Sequence, residues 1–243
     1  TTVNLAASLQ SIKRRVLMID MDPQGNATMG SGIDKNDLQL SVYDVLTGGC
    51  DISSAIIHAE NAGYDILPAN GDLTAAEVEL LSLDKKEYRL RDALKQVADN
   101  YDYIIIDCPP SLSMLTVNGL VAADSVIIPM QCEYYALEGL SALMNTITGI
   151  TQGPNPDLKI EGLLRTMYDP RNSLTRDVSS QLIQHFGDRV YDTVIPRNVR
   201  LAEAPSFGLP ALAYDRKSRG AMSYLALAGE VLTKTRKEAA QSK

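Results

Sequence analysis

Twice along this chain a run of apolar residues ends directly in an acid. Val16-Leu17-Met18-Ile19 leads into Asp20-Met21-Asp22-Pro23, and Tyr103-Ile104-Ile105-Ile106 leads into Asp107-Cys108-Pro109-Pro110. Four or five apolar residues bounded by turn formers read as a buried strand. A buried strand that delivers carboxylates into a Pro-Gln-Gly-Asn turn is how an open α/β sheet presents chemistry at its carboxyl edge. Two such strands in one chain point to a phosphate and metal site. The cradle for the phosphate has to come from elsewhere.

The remaining periodicity fits that frame. Thr1–Ile12 has the apolar stripe of a helix at Val3, Leu5, Ala6, Leu9 and Ile12. Leu40–Leu46 and Ile52–Ile57 read as short helices, and Tyr64–Leu67 as a strand. Leu73–Leu83 and Tyr88–Val97 read as helices, and Tyr103–Ile106 as the most apolar strand, expected at the centre of the sheet. Helix Leu115–Ala122, strand Ser125–Pro129, helix Glu133–Ile150, strand Leu158–Met167, helix Thr175–Phe186, strand Tyr191–Ile195 and a helix from Ser218 to about Ala240 complete the chain. Strands alternating with helices imply α/β architecture with a doubly wound, mostly parallel sheet flanked by helices, in a single domain over residues 1–243.

Composition excludes several classes. No apolar run approaches the roughly 18 to 20 residues of a membrane span, and no secretory leader is present, so a cytoplasmic protein is expected. Cys50, Cys108 and Cys132 are odd in number and unclustered, which argues against zinc, iron–sulfur or a disulfide framework, and strand-end Cys108 and Cys132 suit small buried positions. His58 and His185 stand alone in helical contexts and read as surface residues. A net charge of −7 argues against a surface that coats nucleic acid throughout. Charge is uneven, however: Arg165–Arg219 holds nine bases against six acids, a local excess that suits an anion.

The segments VNLAASL, VLMIDMDPQGNAT, YDYIIIDCPPSLSMLTVNGL, IIPMQCEYYALEGL and TVIPRNVRLAEAPSFGLP, in this order and spacing, resemble the ParA/Soj partitioning ATPases of chromosomes and plasmids. These belong with MinD to the deviant Walker A group of P-loop NTPases. The resemblance implies ATP and Mg²⁺ as cofactors and a nucleotide-dependent homodimer. Its partners would be non-specific double-stranded DNA of the nucleoid and a stimulating ParB-type protein, with no membrane. It implies Asp22 as the catalytic residue that positions water, and Asp107 as the acid that holds Mg²⁺ through water. Asp20 would support the metal shell, Thr1 and Thr2 the phosphate end, and Asn118 the nucleotide and dimer face. Met167, Asp169, Pro196 and Asn198 would line base and ribose. DNA phosphates would meet Arg171 and Arg200, with Arg197, Arg216, Lys217 and Arg219 contributing.

The family opens with a strand and a lysine-rich phosphate loop, K-G-G-V-G-K-T-T, of which Thr1-Thr2 resemble only the tail. That departure sets two alternatives beside the leading reading. One is a division-site positioning ATPase like MinD, disfavoured because Lys234–Lys243 carries no large apolar residue. The other is a DNA- or partner-binding module without a hydrolytic cycle. A chain lacking its central first strand is expected to expose two sheet edges.

Overall fold

The computed structural model describes residues 1–133 and 136–241, without the side chains of residues 136–138, 237–239 and 241. Tyr134 and Tyr135 of the IIPMQCEYYALEGL segment, Ser242 and Lys243 lie outside the described residues, as does the side chain of Leu137. Among the described residues seven strands form: β1 (Val16–Asp20), β2 (Ile57–Ala59), β3 (Tyr64–Leu67), β4 (Tyr103–Asp107), β5 (Ser125–Gln131), β6 (Lys159–Tyr168) and β7 (Val190–Pro196). They make two sheets, one of order β2-β3-β1-β4 and one of order β5-β6-β7. Every pairing is parallel except that of β2 with β3.

β1 is an inner strand of the first sheet, between β3 and β4. Leu17, Met18 and Ile19 are completely buried, each worth about 1.5–3 kcal/mol of apolar burial. β4, expected at the centre, lies instead at that sheet's edge, and all five of its residues are only half-buried. β4 and β5 follow one another through the helix Met114–Ala122, yet they do not pair. The apolar strand with the strongest signal thus presents an open ladder of N–H and C=O groups, as does β5.

One core nevertheless spans both sheets. Met18 and Ile66 of the first sheet and Leu164 and Ile195 of the second share a cluster with Leu5, Leu9, Leu227 and Val231. The last four come from the helices Thr2–Ser11 and Arg219–Gln241, which lie against one another. A second core on the other side joins Leu17 and Ile19 to the helices Val42–Thr47, Leu73–Glu79 and Arg89–Leu94. A third packs Ile128 and Leu163 against the helices Ala136–Thr151 and Ser173–Phe186. Where the β6–β7 register is irregular, the Glu230 carboxylate accepts from the Asp192 and Thr193 amides at 2.9 and 3.0 Å. No described helix is long and apolar enough to cross a membrane.

Four local readings change. Residues 57–59 are an antiparallel edge strand rather than the end of a helix. His58 is therefore a strand residue, and its Nδ1 lies 2.7 Å from Asp65 Oδ1. The short helices Asn26–Gly30, Val199–Glu203 and Ala211–Tyr214 stand where no helix was expected. Of the two strand-end cysteines, Cys132 is buried but Cys108 is exposed.

Distant segments meet at glycines. Gly32 and Gly208 both have positive φ, and a Cβ on Gly208 would lie 2.9 Å from Gly32 Cα, closer than packed atoms come. Gly208→Ala is expected to cost ~1–3 kcal/mol in urea unfolding, because backbone must move. Gly229→Ala, on the final helix with open space around it, should instead gain ~0.5–1 kcal/mol. Equal effects of the two would contradict this packing.

Candidate functional site

Parallel pairing in register sets Asp20 of β1 directly beside Asp107 of β4 at the carboxyl ends of their strands. The pairing continues one residue further, with the Met21 amide donating to the Asp107 carbonyl at 2.8 Å. The chain then turns: Gly25 donates to the Asp22 carbonyl at 2.8 Å, and the Gln24 amide donates to Asp22 Oδ1 at 2.9 Å. Asp22 thus caps its own turn with one oxygen, and it is half-buried at the rim. Gly25 is required here. Its φ is +60°, and a Cβ would sit 2.7 Å from the Ala69 carbonyl oxygen.

The two strand-end acids have different surroundings. Asp20 is fully buried and accepts three hydrogen bonds, from the Asp22 amide (3.1 Å), the Thr28 amide (2.8 Å) and the Thr28 hydroxyl (2.7 Å). Burial pushes its carboxyl up to about 6, against the lowering effect of those donors, with the Asp107 charge adding to the rise. Asp107 is half-buried, and its Oδ1 accepts the hydroxyl of Thr2 from the first turn of the helix Thr2–Ser11. The sequence signal for Asp20 was its place at a strand end. Its full satisfaction by loop donors makes it a tether for the loop more than a free ligand.

The other segments converge less tightly. Tyr168 of β6 and Pro196 of β7 are register partners, so Met167, Asp169, Pro196 and Asn198 lie together at the carboxyl ends of two neighbouring strands. Met167 is exposed and holds φ +51°. The Asn198 side-chain Oδ1 caps the helix Val199–Glu203, accepting from the Arg200 and Leu201 amides. Asn118, by contrast, is completely buried: its amide donates to the Lys86 and Met114 carbonyls at 2.8 and 3.0 Å and accepts from the Leu90 amide at 3.2 Å. In this conformation it links two helices, and it is no surface residue. Thr1 is exposed, its hydroxyl 3.3 Å from that of Tyr224.

The basic segment is divided by its ion pairs. Arg165 leaves the surface, its guanidinium buried on Ser179 Oγ (3.0 Å) and the Tyr191 carbonyl (2.7 Å). Arg171 grips Asp169 through two nitrogens at 2.8 and 2.9 Å and holds that carboxyl down to about 2. Arg200 pairs with Glu203 at 2.7 Å and Asp215 at 3.4 Å. Arg197, Arg216, Lys217 and Arg219 are exposed and form no ion pair among the described residues.

A mostly parallel α/β sheet with acids at adjoining strand ends, one of them holding a hydroxyl from a helix N-terminus, defines an NTPase of the MinD/ParA type. Comparison with known proteins is specific. The family model AAA_31, an AAA domain, matches residues 1–160. The chromosome partitioning protein ParA of Myxococcus xanthus is 53% identical over 232 residues, covering 96% of this chain and 82% of that protein. The sporulation initiation inhibitor protein Soj of Bacillus subtilis is 54% identical over 231 residues, 95% and 91% of the two chains. The crystal structure of cobyrinic acid a,c-diamide synthase from Mycobacterium smegmatis with bound ADP and magnesium is similar to this chain, 39% identical with a TM-score of 0.83, covering 95% of this chain and 86% of that one. The chain belongs to the ParA/Soj family of chromosome-partitioning ATPases.

The raised Asp20 carboxyl predicts a pH signature. A carboxyl whose folded pKa exceeds its unfolded value binds its proton more tightly in the folded chain, so its contribution to stability falls as pH rises from about 4 through about 6. Asp20→Asn carries no such dependence. Its stability relative to the natural chain should therefore improve by roughly 2–3 kcal/mol between about pH 4 and about pH 7. Urea unfolding at both pH values measures this, and parallel pH profiles would contradict it.

Proposed function

We propose that this protein is a nucleotide-switched partitioning ATPase: ATP draws two copies into a dimer that binds nucleoid DNA through phosphate contacts, and hydrolysis, stimulated by a ParB-type partner, releases it. The observation that carries the nucleotide reading is Thr2 on Asp107, a contact between residues 105 apart in the chain. A threonine hydroxyl and a carboxylate at a strand end are the hard oxygen groups that Mg²⁺ takes, and it keeps several waters. The described residues hold no cluster of three acidic, His or Cys side chains able to ligate a metal alone. Thr2 and Asp107 therefore suit an ion whose shell is completed by water and phosphate oxygens. Bound Mg²⁺ supplies neutralisation of phosphate charge.

This chain's own residues supply the rest. Asp22, one oxygen held by the Gln24 amide, has its second oxygen to orient an attacking water, and such positioning is most of what phosphoryl transfer asks of a protein. Met167, Asp169, Pro196 and Asn198, gathered beyond β6 and β7, line the base and ribose. The lysine-rich phosphate loop of the family is not among residues 1–243. The unpaired ladders of β4 and β5 are where a strand leading into such a loop would pair.

The DNA surface in this reading is the Arg171 to Arg219 face. Its contacts are to phosphates and are sequence-independent, so retention on random duplex DNA should require ATP and fall steeply with salt. In a polypeptide carrying the phosphate loop, Asp22→Ala should abolish turnover while leaving ATP-dependent retention. Paired substitution of Arg216 and Arg219 by Ala should lower the salt slope by about 1 per lost contact. Glu203→Gln, which frees Arg200 from its nearest acid, should strengthen retention. Retention indifferent to ATP, together with intact turnover in Asp22→Ala, would sink the proposal.

A further inference from the structure

The DPQGNAT segment ends in a residue whose role neither turn chemistry nor strand pattern suggests. Thr28 is completely buried. Its hydroxyl donates to Asp20 Oδ2 at 2.7 Å and accepts from the Ala69 amide at 2.9 Å, while its own amide donates to the same Asp20 oxygen at 2.8 Å. The other Asp20 oxygen takes the Asp22 amide at 3.1 Å. A continuous chain of hydrogen bonds therefore runs from Ala69, just beyond β3, through Thr28 and Asp20 to the backbone of Asp22. The neighbouring contact reinforces it, because Gly25 packs its Cα face against the Ala69 carbonyl. The same stretch after β3 holds a further element: the Val42 amide, opening the helix Val42–Thr47, donates to the Pro68 carbonyl at 2.8 Å.

We propose that Asp20 and Thr28 are positioning residues, a buried clamp that fixes Asp22 against the Pro68–Ala69 segment and couples the Asp22 turn to the start of the helix Val42–Thr47. This rests on the reading of Asp22 as the residue that orients water. Both clamp residues are buried, and every Asp20 oxygen is already engaged by the loop. The clamp acts on the backbone of Asp22, while one oxygen of the Asp22 carboxylate takes the Gln24 amide and the other is left for the rim. A shift in the Asp22 turn then has a defined mechanical route to segment 68–69 and helix 42–47, and the reverse holds equally.

Thr28→Val keeps shape and burial but removes the hydroxyl, whereas Thr28→Ser keeps the hydroxyl. Residue-resolved amide hydrogen exchange on the chain tests the coupling. Thr28→Val should speed exchange at Ala69, which loses its acceptor, and also at Asp22, which Thr28 does not touch. Thr28→Ser should restore both. In a polypeptide carrying the phosphate loop, Thr28→Val should lower kcat on the order of tenfold to a hundredfold with KM for ATP unchanged, and Thr28→Ser should recover it. Faster exchange at Ala69 alone, with Asp22 protection and kcat unchanged, overturns the clamp. Asp22→Ala separates the two claims. If it leaves turnover intact, the catalytic reading of Asp22 fails whatever the exchange data show. If it abolishes turnover while Thr28→Val changes neither Asp22 exchange nor kcat, the clamp fails by itself.

Discussion

The parallel register between β1 and β4 is the constraint on which the site depends. Because Val16 pairs with Tyr103, the pairing ends with Asp20 beside Asp107. Two carboxylates on neighbouring strands in a low-dielectric core repel unless their surroundings differentiate them. Here they do. Asp20 is buried among loop donors with its carboxyl pushed up to about 6, and Asp107 is half-buried with a hydroxyl from a helix N-terminus. A one-residue slip would turn both side chains to the opposite faces of the sheet and dismantle the arrangement.

What the sequence discloses follows from how local each signal is. β1, β3 and β4 are read directly, since four or five apolar residues bounded by turn formers admit few other structures. β4 was nonetheless misplaced in the sheet. Apolarity marks a strand built to be covered on both sides, and it cannot say whether both neighbours are present in the chain. The edge strand β2 was missed because Ile52–Ile57 carries helix-like spacing and only its pairing with β3 shows otherwise. The acids of the site were legible through their motif. The partners Thr2 for Asp107, Thr28 for Asp20 and Gly208 for Gly32 were not, because each contact joins segments whose separation encodes no period.

The basic segment shows the same limit for charge. Counting bases and acids between Arg165 and Arg219 gives a surplus, but a count cannot separate free cations from satisfied ones. Arg165 is consumed inside the fold, Arg171 and Arg200 are held by Asp169, Glu203 and Asp215, and Arg176, Arg189, Arg197, Arg216, Lys217 and Arg219 are exposed without an ion pair among the described residues. Exposed ion pairs of this kind are worth only about 0–1 kcal/mol, so a phosphate can compete for either arginine.

We propose that Asp107, through Thr2 and a hydrated Mg²⁺, anchors nucleotide to this sheet edge. The most direct measurement is the Mg²⁺ dependence of ATP binding in the protein carrying its phosphate loop, comparing the natural sequence with Asp107→Asn by calorimetry. Added Mg²⁺ should tighten binding for the natural sequence and have little effect on the variant. The same gain from Mg²⁺ in both would show that Asp107 does not hold the ion.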